Sequence, residues 1–332
     1  MKLHTSSSTV DAHLPVFASQ GFLSAKSKNY GWLEKNDLIL PFFVDKRLIF
    51  RRVIFTAAPL SKDGRVIDPP EEKLFLESIV NYCRSVIKAD FIAKPMANAI
   101  FASIPRGSIA ARYGTYVVDL GPSEEEIFSR FKSSTRTKIR KATREGILFE
   151  ETSDIETIAA LLRETFARSG DMALSPGLNF LHAMQRNMGD SVRFYVTRNG
   201  SYLQTCAVVA FDADRAYYYY GGSIDKPATG SAYLMHWETM RKMKGLGIKK
   251  YDFMGAACKP KPDTKSYTLQ EFKQRFNPQE IYGYTFKVIF RPVKYATFNM
   301  LARTSFMLKG GQYHGDSIDL YIREHGQCEG GS

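Results

Sequence analysis

The pair Phe272-Lys273 has the most specific chemical potential in this sequence. It follows, seventeen residues later, a strand-like segment that ends in Tyr-Asp-Phe-Met-Gly at residues 251–255. A cation fixed beside a reacting carbonyl stabilises the oxyanion that forms during acyl transfer, and such electrostatic help is often the largest catalytic contribution. Phe272 would pack beside the lysine and limit its motion. The alternative interpretation is a surface lysine whose stem covers an amphipathic turn.

Two other side chains near this pair have acid–base chemistry. Asp252 is a candidate catalytic residue because it ends a predicted buried strand. An aspartate in that position also commonly accepts hydrogen bonds from nearby backbone N–H groups, so a structural role is the alternative. His236 stands beside Trp237 in a predicted helix, and we interpret it as a packed core histidine rather than a base.

Other signatures of acyl transfer or metal binding do not occur in the sequence. It contains neither the GxSxG motif of a serine nucleophile nor the HExxH motif of a zinc site. No CxxC is present, and the cysteines are far apart, at Cys83, Cys206, Cys258 and Cys328. We therefore predict no metal site and free thiols in a reducing compartment.

Four consecutive tyrosines, Tyr217 to Tyr220, form a predicted strand that Gly221 and Gly222 end. Side chains alternate between the two faces of a strand, so at least one pair of these rings is expected to face solvent or a cleft. We predict that Tyr218 and Tyr220 contribute to substrate binding.

A basic helix is predicted from Arg130 to Arg144, after acidic residues that suit a helix start. Arginine and lysine at this density suit contacts with phosphate groups. The predicted phosphate-binding or tRNA-binding residues are Arg136, Lys138, Arg140 and Lys141. The alternative is an ordinary solvated face.

The elements that position these residues recur in two halves of the chain. The second half reads as strand, two helices, three strands, helix, strand and a further strand, which is the order used by acyltransferases of the GNAT type. The first half has a looser version of the same order. We therefore expect an α/β (α+β) fold with two tandem GNAT-like domains, each a mixed central sheet flanked by helices.

The predicted domain limits follow from this order. Residues 1–146 form the first domain, and residues 291–312 can pack back onto it. Residues 147–290 form the second domain and contain Lys273. A glycine-rich tail, residues 313–332, is predicted to be flexible.

The composition indicates an anionic partner. The 332 residues carry a formal net charge of +12, which favours a nucleic acid, a phosphorylated substrate or a membrane surface over a neutral partner. The N-terminus has no apolar signal segment, and no apolar run approaches the roughly 20 residues that span a bilayer. We therefore predict a cytoplasmic protein, with peripheral contact at the inner face of the membrane compatible with its charge.

Several motifs together resemble the Fem family. They are RTKIRKATREG at residues 136–146, YYYYGGSID at 217–225, MHWETMRKMKGLG at 235–247, YDFMGA at 251–256 and EFKQRF at 271–276. Fem proteins are aminoacyltransferases that build peptidoglycan interpeptide bridges with two GNAT-like domains. The resemblance runs from Gly21 to Tyr295, and its most specific part is the YDFMG segment followed by Phe-Lys.

This resemblance implies transfer of an aminoacyl group, usually from an aminoacyl-tRNA, to an amine on a cell-wall precursor. It also implies a functional lysine at the Phe272-Lys273 step. Lys26 and Lys28 lie on the N-terminal segment that approaches the acceptor's phosphates in that family, so we predict that they bind substrate. No cofactor is expected beyond the co-substrate, which is aminoacyl-tRNA or acyl-CoA.

Two other functions remain open at this stage. An acyl-CoA-dependent GNAT enzyme acting on another amine, such as an amino sugar, would need a glycine-rich loop at a helix N-terminus. The segment KMKGLG at residues 242–247 superficially fits, but we interpret it as a helix C-cap with Gly245 in the left-handed conformation. The second alternative is a non-enzymatic polyanion-binding protein. The sequence leaves the transferred group, the acceptor amine and the oligomeric state undetermined.

Overall fold

The computed structural model describes residues 1–10, 12–258, 260–262, 264–308 and 315–326. The helices in these residues are α1 Gln20–Lys26, α2 Pro69–Ser85, α3 Glu124–Arg130, α4 Ser133–Arg144, α5 Ile155–Arg168, α6 Leu178–Met188, α7 Ser231–Gly245, α8 Lys265–Gln274, α9 Pro292–Leu308 and α10 Ser317–His325.

The strands alternate with these helices along the chain. They are β1 Lys2–His4, β2 Tyr30–Lys35, β3 Leu38–Arg47, β4 Phe50–Phe55, β5 Leu60–Ser61, β6 Phe91–Ile92, β7 Ile109–Asp119, β8 Ile147–Glu151, β9 Val192–Asn199, β10 Tyr202–Phe211, β11 Arg215–Ser223, β12 Lys250–Asp252, β13 Ala256–Ala257 and β14 Gln279–Ile289.

The chain forms two compact units. Unit 1 comprises residues 1–114, 257–259 and 282–332, and unit 2 comprises residues 115–256 and 260–281. The sequence-based boundary at 146 differs from this division, because α3 and α4 belong to unit 2. There Ile127, Phe131 and Ile139 pack in one core with Trp237 of α7 and Ile147 of β8.

Unit 1 contains a mixed sheet in the order β1, β2, β3, β4, β6, β14, with β5 on β3. The pairing of β4 with β6 is parallel, and the other pairings along this path are antiparallel. Helix α2 covers this sheet with Phe75, Leu76 and Ile79, whose spacing gives the helix one apolar stripe.

Unit 2 contains a mixed sheet in the order β7, β12, β11, β10, β9, β8. Strands β11 and β12 are parallel, and the other neighbours are antiparallel. Helix α7 packs on this sheet through Leu234, Met240 and Met243. Each unit is thus a mixed sheet with helices against it, as the predicted α/β fold with two GNAT-like domains requires.

Part of the predicted flexible tail, 313–332, forms the helix α10. Asp316 begins α10 with a capping box, and Ile318 is fully buried. The buried Lys287 of β14 also donates to Asp316 and Asp319, at 3.2 and 2.5 Å. These contacts hold the helix on unit 1. Residues 313, 314 and 327–332 lie outside the described part of the chain.

None of the helices in the described residues has the combination of length and hydrophobicity that a bilayer-crossing segment needs.

Candidate active site

The site begins with the turn that follows β12. Met254 and Gly255 both have left-handed backbone conformations, with φ of 52° and 64°. This conformation is rare for a residue with a side chain and costs about 1–2 kcal/mol. Asp252 stabilises the turn, because its Oδ1 accepts the backbone N–H of Met254 at 2.7 Å. The turn directs the carbonyl groups of Met254 and Gly255 toward α8.

Asp252 is committed to contacts within unit 2. Besides the Met254 N–H, it accepts a hydrogen bond from the Thr115 hydroxyl and one from Arg215 Nη1 at 3.2 Å. The residue is 1% exposed. Burial raises the pKa of its carboxyl, and the hydrogen bond from Thr115 and the charge of Arg215 oppose that shift. This geometry suits a positioning residue and leaves little access for a substrate.

Lys273 reaches the same turn from α8. Its Nζ donates to the carbonyl oxygens of Met254 and Gly255, at 2.5 and 2.7 Å. We call this arrangement the lysine clasp. An ammonium has three N–H donors, and these two carbonyls are its acceptors among the described residues. Burial lowers the pKa of Lys273 to about 8, and the negative charge of Asp252 opposes the shift.

Aromatic packing fixes the helix that carries the lysine. Phe276 is buried and contacts the rings of Phe131 and Phe253, with centroids 5.1 and 5.2 Å away. Phe272 contacts Tyr233 of α7 at 4.9 Å. Polar contacts add to this, since the Tyr116 hydroxyl lies 3.0 Å from the Gln270 side-chain oxygen on α8. The predicted packing of Phe272 beside Lys273 therefore belongs to a larger aromatic cluster.

His236 is a core residue, as predicted. It is 3% exposed, and its Nδ1 lies 2.8 Å from the Tyr251 hydroxyl. Burial, together with the positive charge of Lys273, lowers the pKa of His236 to about 3. The imidazole therefore stays neutral at physiological pH and packs as a buried ring close to the lysine clasp.

Tyr218 is connected to the helix of the clasp through His236, whose ring centroid lies 5.4 Å from that of Phe272. The Tyr218 ring packs on His236 with centroids 4.4 Å apart. The Tyr218 hydroxyl lies so close to the backbone of Gly221 that any β-carbon there would collide with it. Burial raises the pKa of this phenol, so it remains protonated.

The two sides of this site belong to strands that diverge. Strand β11 pairs with β12 only where residues 215–217 face residues 250–252. Beyond that point β11 continues to Ser223, whereas β12 ends and the chain turns at Met254. Tyr218 comes from the β11 side of the divergence, and the lysine clasp comes from the β12 side. Ligands commonly bind where strands of an open sheet separate.

Tyr220 is placed differently from Tyr218. The register between β10 and β11 shifts, with Val208 opposite Tyr220 and Val209 opposite Tyr218, so Tyr219 is an extra residue. The expected alternation of rings is therefore wrong at this point. Tyr220 packs on Tyr219 and on Phe180 of α6, with centroids 4.4 and 6.5 Å apart.

The predicted substrate lysines lie in unit 1. Lys26 ends α1, with its Nζ 5.5 Å from the ring centroid of Phe22. Burial lowers the pKa of Lys26 to about 7. Lys28 lies just beyond the helix and is exposed. Substrate binding by either lysine stays a prediction.

The basic segment is not one continuous helix, contrary to the prediction. The chain between α3 and α4 is extended at Phe131, whose buried ring packs against Trp237 and Phe276. Arg136 bridges the break, because its Nη1 donates to the carbonyl oxygens of Ser129 and Phe131 at 2.7 and 2.5 Å.

The other predicted phosphate ligands have partners within unit 2. Lys138 Nζ lies 4.9 Å from the centroid of the Tyr233 ring, and the Arg140 guanidinium lies 5.3 Å from that of Phe128. Lys141 pairs with Glu145 at 3.6 Å. Arg140 is exposed, whereas Lys138 and Lys141 are half-buried.

We expect the triple substitution of Lys138, Arg140 and Lys141 by Gln to flatten the salt dependence of tRNA binding. Each lost phosphate contact lowers the slope of log affinity against log salt by about 0.7–0.9. Filter binding at several salt concentrations measures the slope. Arg163→Gln is the control, since it removes one exposed positive charge from a different helix, α5. An unchanged slope in the triple variant would identify α4 as a solvated face.

The segment KMKGLG is a helix C-terminus, as predicted. Helix α7 ends at Gly245, and the N–H of Leu246 donates to the Lys242 carbonyl at 3.2 Å. The left-handed residue is Gly247, with φ of 83°, rather than the predicted Gly245. Carbonyl groups at this end repel phosphate, so the segment is not a pyrophosphate loop.

The carbonyl groups of Met254 and Gly255 are the site components that sequence reasoning missed. Glycine at 255 was visible as the end of a strand, but nothing in the residue types indicated a left-handed methionine before it.

Comparisons with known proteins agree with this architecture. Residues 129–273 match a family model described as an acetyltransferase (GNAT) domain, which extends to Lys273 itself. Among solved structures, FemX has a TM-score of 0.63 and 14% sequence identity, over 90% of this chain and 99% of FemX. No curated protein matches the sequence.

Two further structures share the fold. The C-terminal domain of a protein described as a lysylphosphatidylglycerol synthetase from Agrobacterium fabrum has a TM-score of 0.51 and 14% identity, over 82% of this chain and 87% of that one. L-PGS from Bacillus licheniformis has a TM-score of 0.50 and 10% identity, over 80% and 85%. The chain thus shares the fold of FemX, and its residues 129–273 match a GNAT domain. The resemblance to the Fem family is confirmed at the level of the fold, and the family match supports an acyltransferase.

Proposed function

We propose that this chain is a Fem-like aminoacyltransferase that moves an aminoacyl group from aminoacyl-tRNA to an amine of a cell-wall precursor. The observation that carries the proposal is the lysine clasp, which holds an ammonium beside the diverging ends of β11 and β12. The predicted catalytic residue is Lys273, with Phe272 and Asp252 as its supports.

The chemistry requires only a positioned cation. The acceptor amine attacks the ester carbonyl of the aminoacyl donor, which forms the new C–N bond and a tetrahedral oxyanion. The third N–H of Lys273 donates to that oxyanion while the other two remain on Met254 and Gly255. Collapse breaks the ester C–O bond, and the proton from the amine leaves with the released ribose hydroxyl.

The names of similar folds favour an aminoacyl donor. Lysylphosphatidylglycerol synthetase is named for an aminoacylated product. FemX carries the name of the Fem family, which the sequence motifs of this chain resemble. The net charge of +12 suits a polyanionic donor such as tRNA. Transfer of the aminoacyl group in the cytoplasm, close to the inner face of the membrane, would fit a cell-wall precursor as the acceptor.

An acyl-CoA-dependent N-acyltransferase is the second candidate, because the matching family model is described as an acetyltransferase. A ligand that binds only the native state raises the melting temperature. A thermal-shift panel of charged tRNA, uncharged tRNA, acetyl-CoA and free CoA tests both donors. Stabilisation by charged tRNA, followed by transfer of a radiolabelled aminoacyl group to a muropeptide amine, supports the proposal. Stabilisation by acetyl-CoA with acetyl transfer supports the second candidate.

We expect kcat/KM to fall as the pH rises above about 8. Lys273 is protonated below its pKa of about 8 and loses its charge above that value. The fraction of enzyme molecules with a charged Lys273 for the oxyanion therefore falls roughly tenfold per pH unit. A pH–rate profile measures this. The decline should vanish from the residual rate of Lys273→Ala. If the rate instead rises through pH 8 in the native enzyme but not in Lys273→Ala, the neutral amine of Lys273 acts as a general base.

A further inference from the structure

Two large aliphatic side chains stand at the tip of the turn between β3 and β4. Leu48 is 90% exposed and Ile49 is 68% exposed. Leu48 has φ of 52°, an uncommon left-handed conformation for a leucine. Exposed turns normally carry polar residues, so this one is unusual for a surface in contact with water alone.

Helix α9 also presents apolar residues to solvent. Tyr295 and Phe298 form its inner side, with ring centroids 5.1 and 5.3 Å from that of Phe91. Its outward side carries further apolar residues, which are 43–83% exposed: Val293, Met300, Leu301, Met307 and Leu308. A surface helix usually places polar residues on the side that faces water, so exposed apolar residues on this side of α9 are unusual.

The turn and the helix form one surface within unit 1. Lys294 of α9 donates from Nζ to the backbone carbonyl of Ile49 at 3.1 Å. The rings of Phe50 and Phe298 meet with centroids 5.5 Å apart. We define the docking face as Leu48, Ile49, Val293, Met300, Leu301, Met307 and Leu308.

The charge around the docking face is positive. Residues 281–315 include no aspartate or glutamate. Two acids close to the turn and the helix are each shared by two cations: Asp45 by Arg47 and Arg52, and Asp90 by Arg291 and Lys294. Lys46 and Arg303 are exposed and add further positive charge.

We propose that the docking face binds the surface of an anionic lipid bilayer. Apolar side chains flanked by lysine and arginine are what interfacial attachment requires, since the former enter the headgroup region and the latter contact lipid phosphates. A second copy of this chain is a poorer occupant, because it would oppose two faces of the same positive sign. Helix α9 has 17 residues and carries Lys294 and Arg303, which suits a helix that lies along the surface.

This attachment does not depend on the proposed acyl transfer. It would hold the protein where lipid-carried acceptors are found, and its test uses no substrate. Its failure would therefore leave the proposed chemistry untouched.

Co-sedimentation of the full chain with vesicles tests the proposal. We expect binding to vesicles of phosphatidylcholine mixed with phosphatidylglycerol, weakening as salt rises. The pair Leu48→Ser and Ile49→Ser, and separately the pair Met300→Ser and Met307→Ser, should each lower the partition coefficient about tenfold or more. Val66→Ser, at a position that is exposed outside the face, is the matched control and should bind like the native chain.

Three results would overturn the proposal. The first is no binding to the anionic vesicles. The second is equal binding by the control and by both paired variants. The third is a concentration-dependent dimer in solution that the paired variants abolish, which would make a second copy the occupant. Circular dichroism of each variant verifies that the fold is retained. Lys46→Gln changes charge without changing the apolar residues, so it should weaken binding to anionic vesicles only.

Discussion

Lys273→Ala should lower kcat by about 100-fold or more, the scale seen when one donor to an oxyanion is removed. The substitution takes away the only cation that the structure fixes at the carbonyls of Met254 and Gly255 among the described residues. KM should change little, because the contact forms with charge that develops in the transition state. Steady-state kinetics with a charged donor measures both constants.

Stability provides a second readout for this position. Removing the ammonium leaves two carbonyl groups without their donor, which costs about 1–3 kcal/mol if they stay buried. Because the Lys273 side chain is only partly buried, water can reach the vacated space, and we expect the lower end of that range. Lys273→Met preserves the stem and isolates the charge.

Lys265→Ala is the matched control for the catalytic test. Lys265 lies on the same helix, at its exposed N-terminal end, and pairs with Asp171. It should keep full turnover. If Lys273→Ala and Lys273→Met also kept most of theirs, the catalytic centre would have to be sought around Asp252 and the strand of Tyr217 to Tyr220.

The sequence predicted the parts of the site that depend on local pattern. The helix from Ser231, the short strand ending at Asp252 and the pair Phe272-Lys273 were all visible from periodicity and motif. The contact between them was not. It depends on a left-handed methionine, which residue preferences argue against and which the hydrogen bond from Met254 N–H to Asp252 stabilises.

Long-range packing explains the other differences. Phe131 interrupts the basic segment because its ring is drawn into the aromatic core with Trp237 and Phe276, and that core is invisible in a local window. Tyr219 breaks the alternation of its strand because β10 and β11 change register there. Helix propensity and strand periodicity are both weak against such tertiary contacts.

The order of elements was more predictable than the limits of the units. Alternating strands and helices indicated two GNAT-like domains, since each element needs an apolar partner and few layered arrangements provide it. The assignment of α3 and α4 to unit 2 depends on which core receives Ile127 and Ile139, and a helix shows only that it has a buried face.

Substitutions at Asp252 should separate a catalytic base from a positioning residue. Asp252→Asn keeps Oδ1 as the acceptor for the Met254 N–H and the Thr115 hydroxyl. It replaces Oδ2, the acceptor of Arg215 Nη1, with an amide NH2, so both the charge and the hydrogen bond to Arg215 are lost. We expect its kcat to stay within a few-fold of the native value. Loss of a general base would instead lower the rate by about 10²–10⁴-fold.

Asp252→Ala should have a much larger effect, on both stability and turnover. It removes every contact that the carboxylate makes and leaves Arg215 without its ion-pair partner. Breaking a buried pair costs about 3–5 kcal/mol, and we expect the lower end because the Arg215 side chain is 25% exposed. The turn at Met254 would lose its stabilising acceptor, so the carbonyls that hold Lys273 would no longer be fixed. Chemical denaturation and steady-state kinetics measure the two effects.

Arg215→Ala is the control, because it breaks the ion pair and leaves the Met254 turn intact, so it should lose stability and keep turnover. Equal losses of turnover in Asp252→Asn and Asp252→Ala, with stability retained in the former, would show that the carboxylate itself takes part in the reaction.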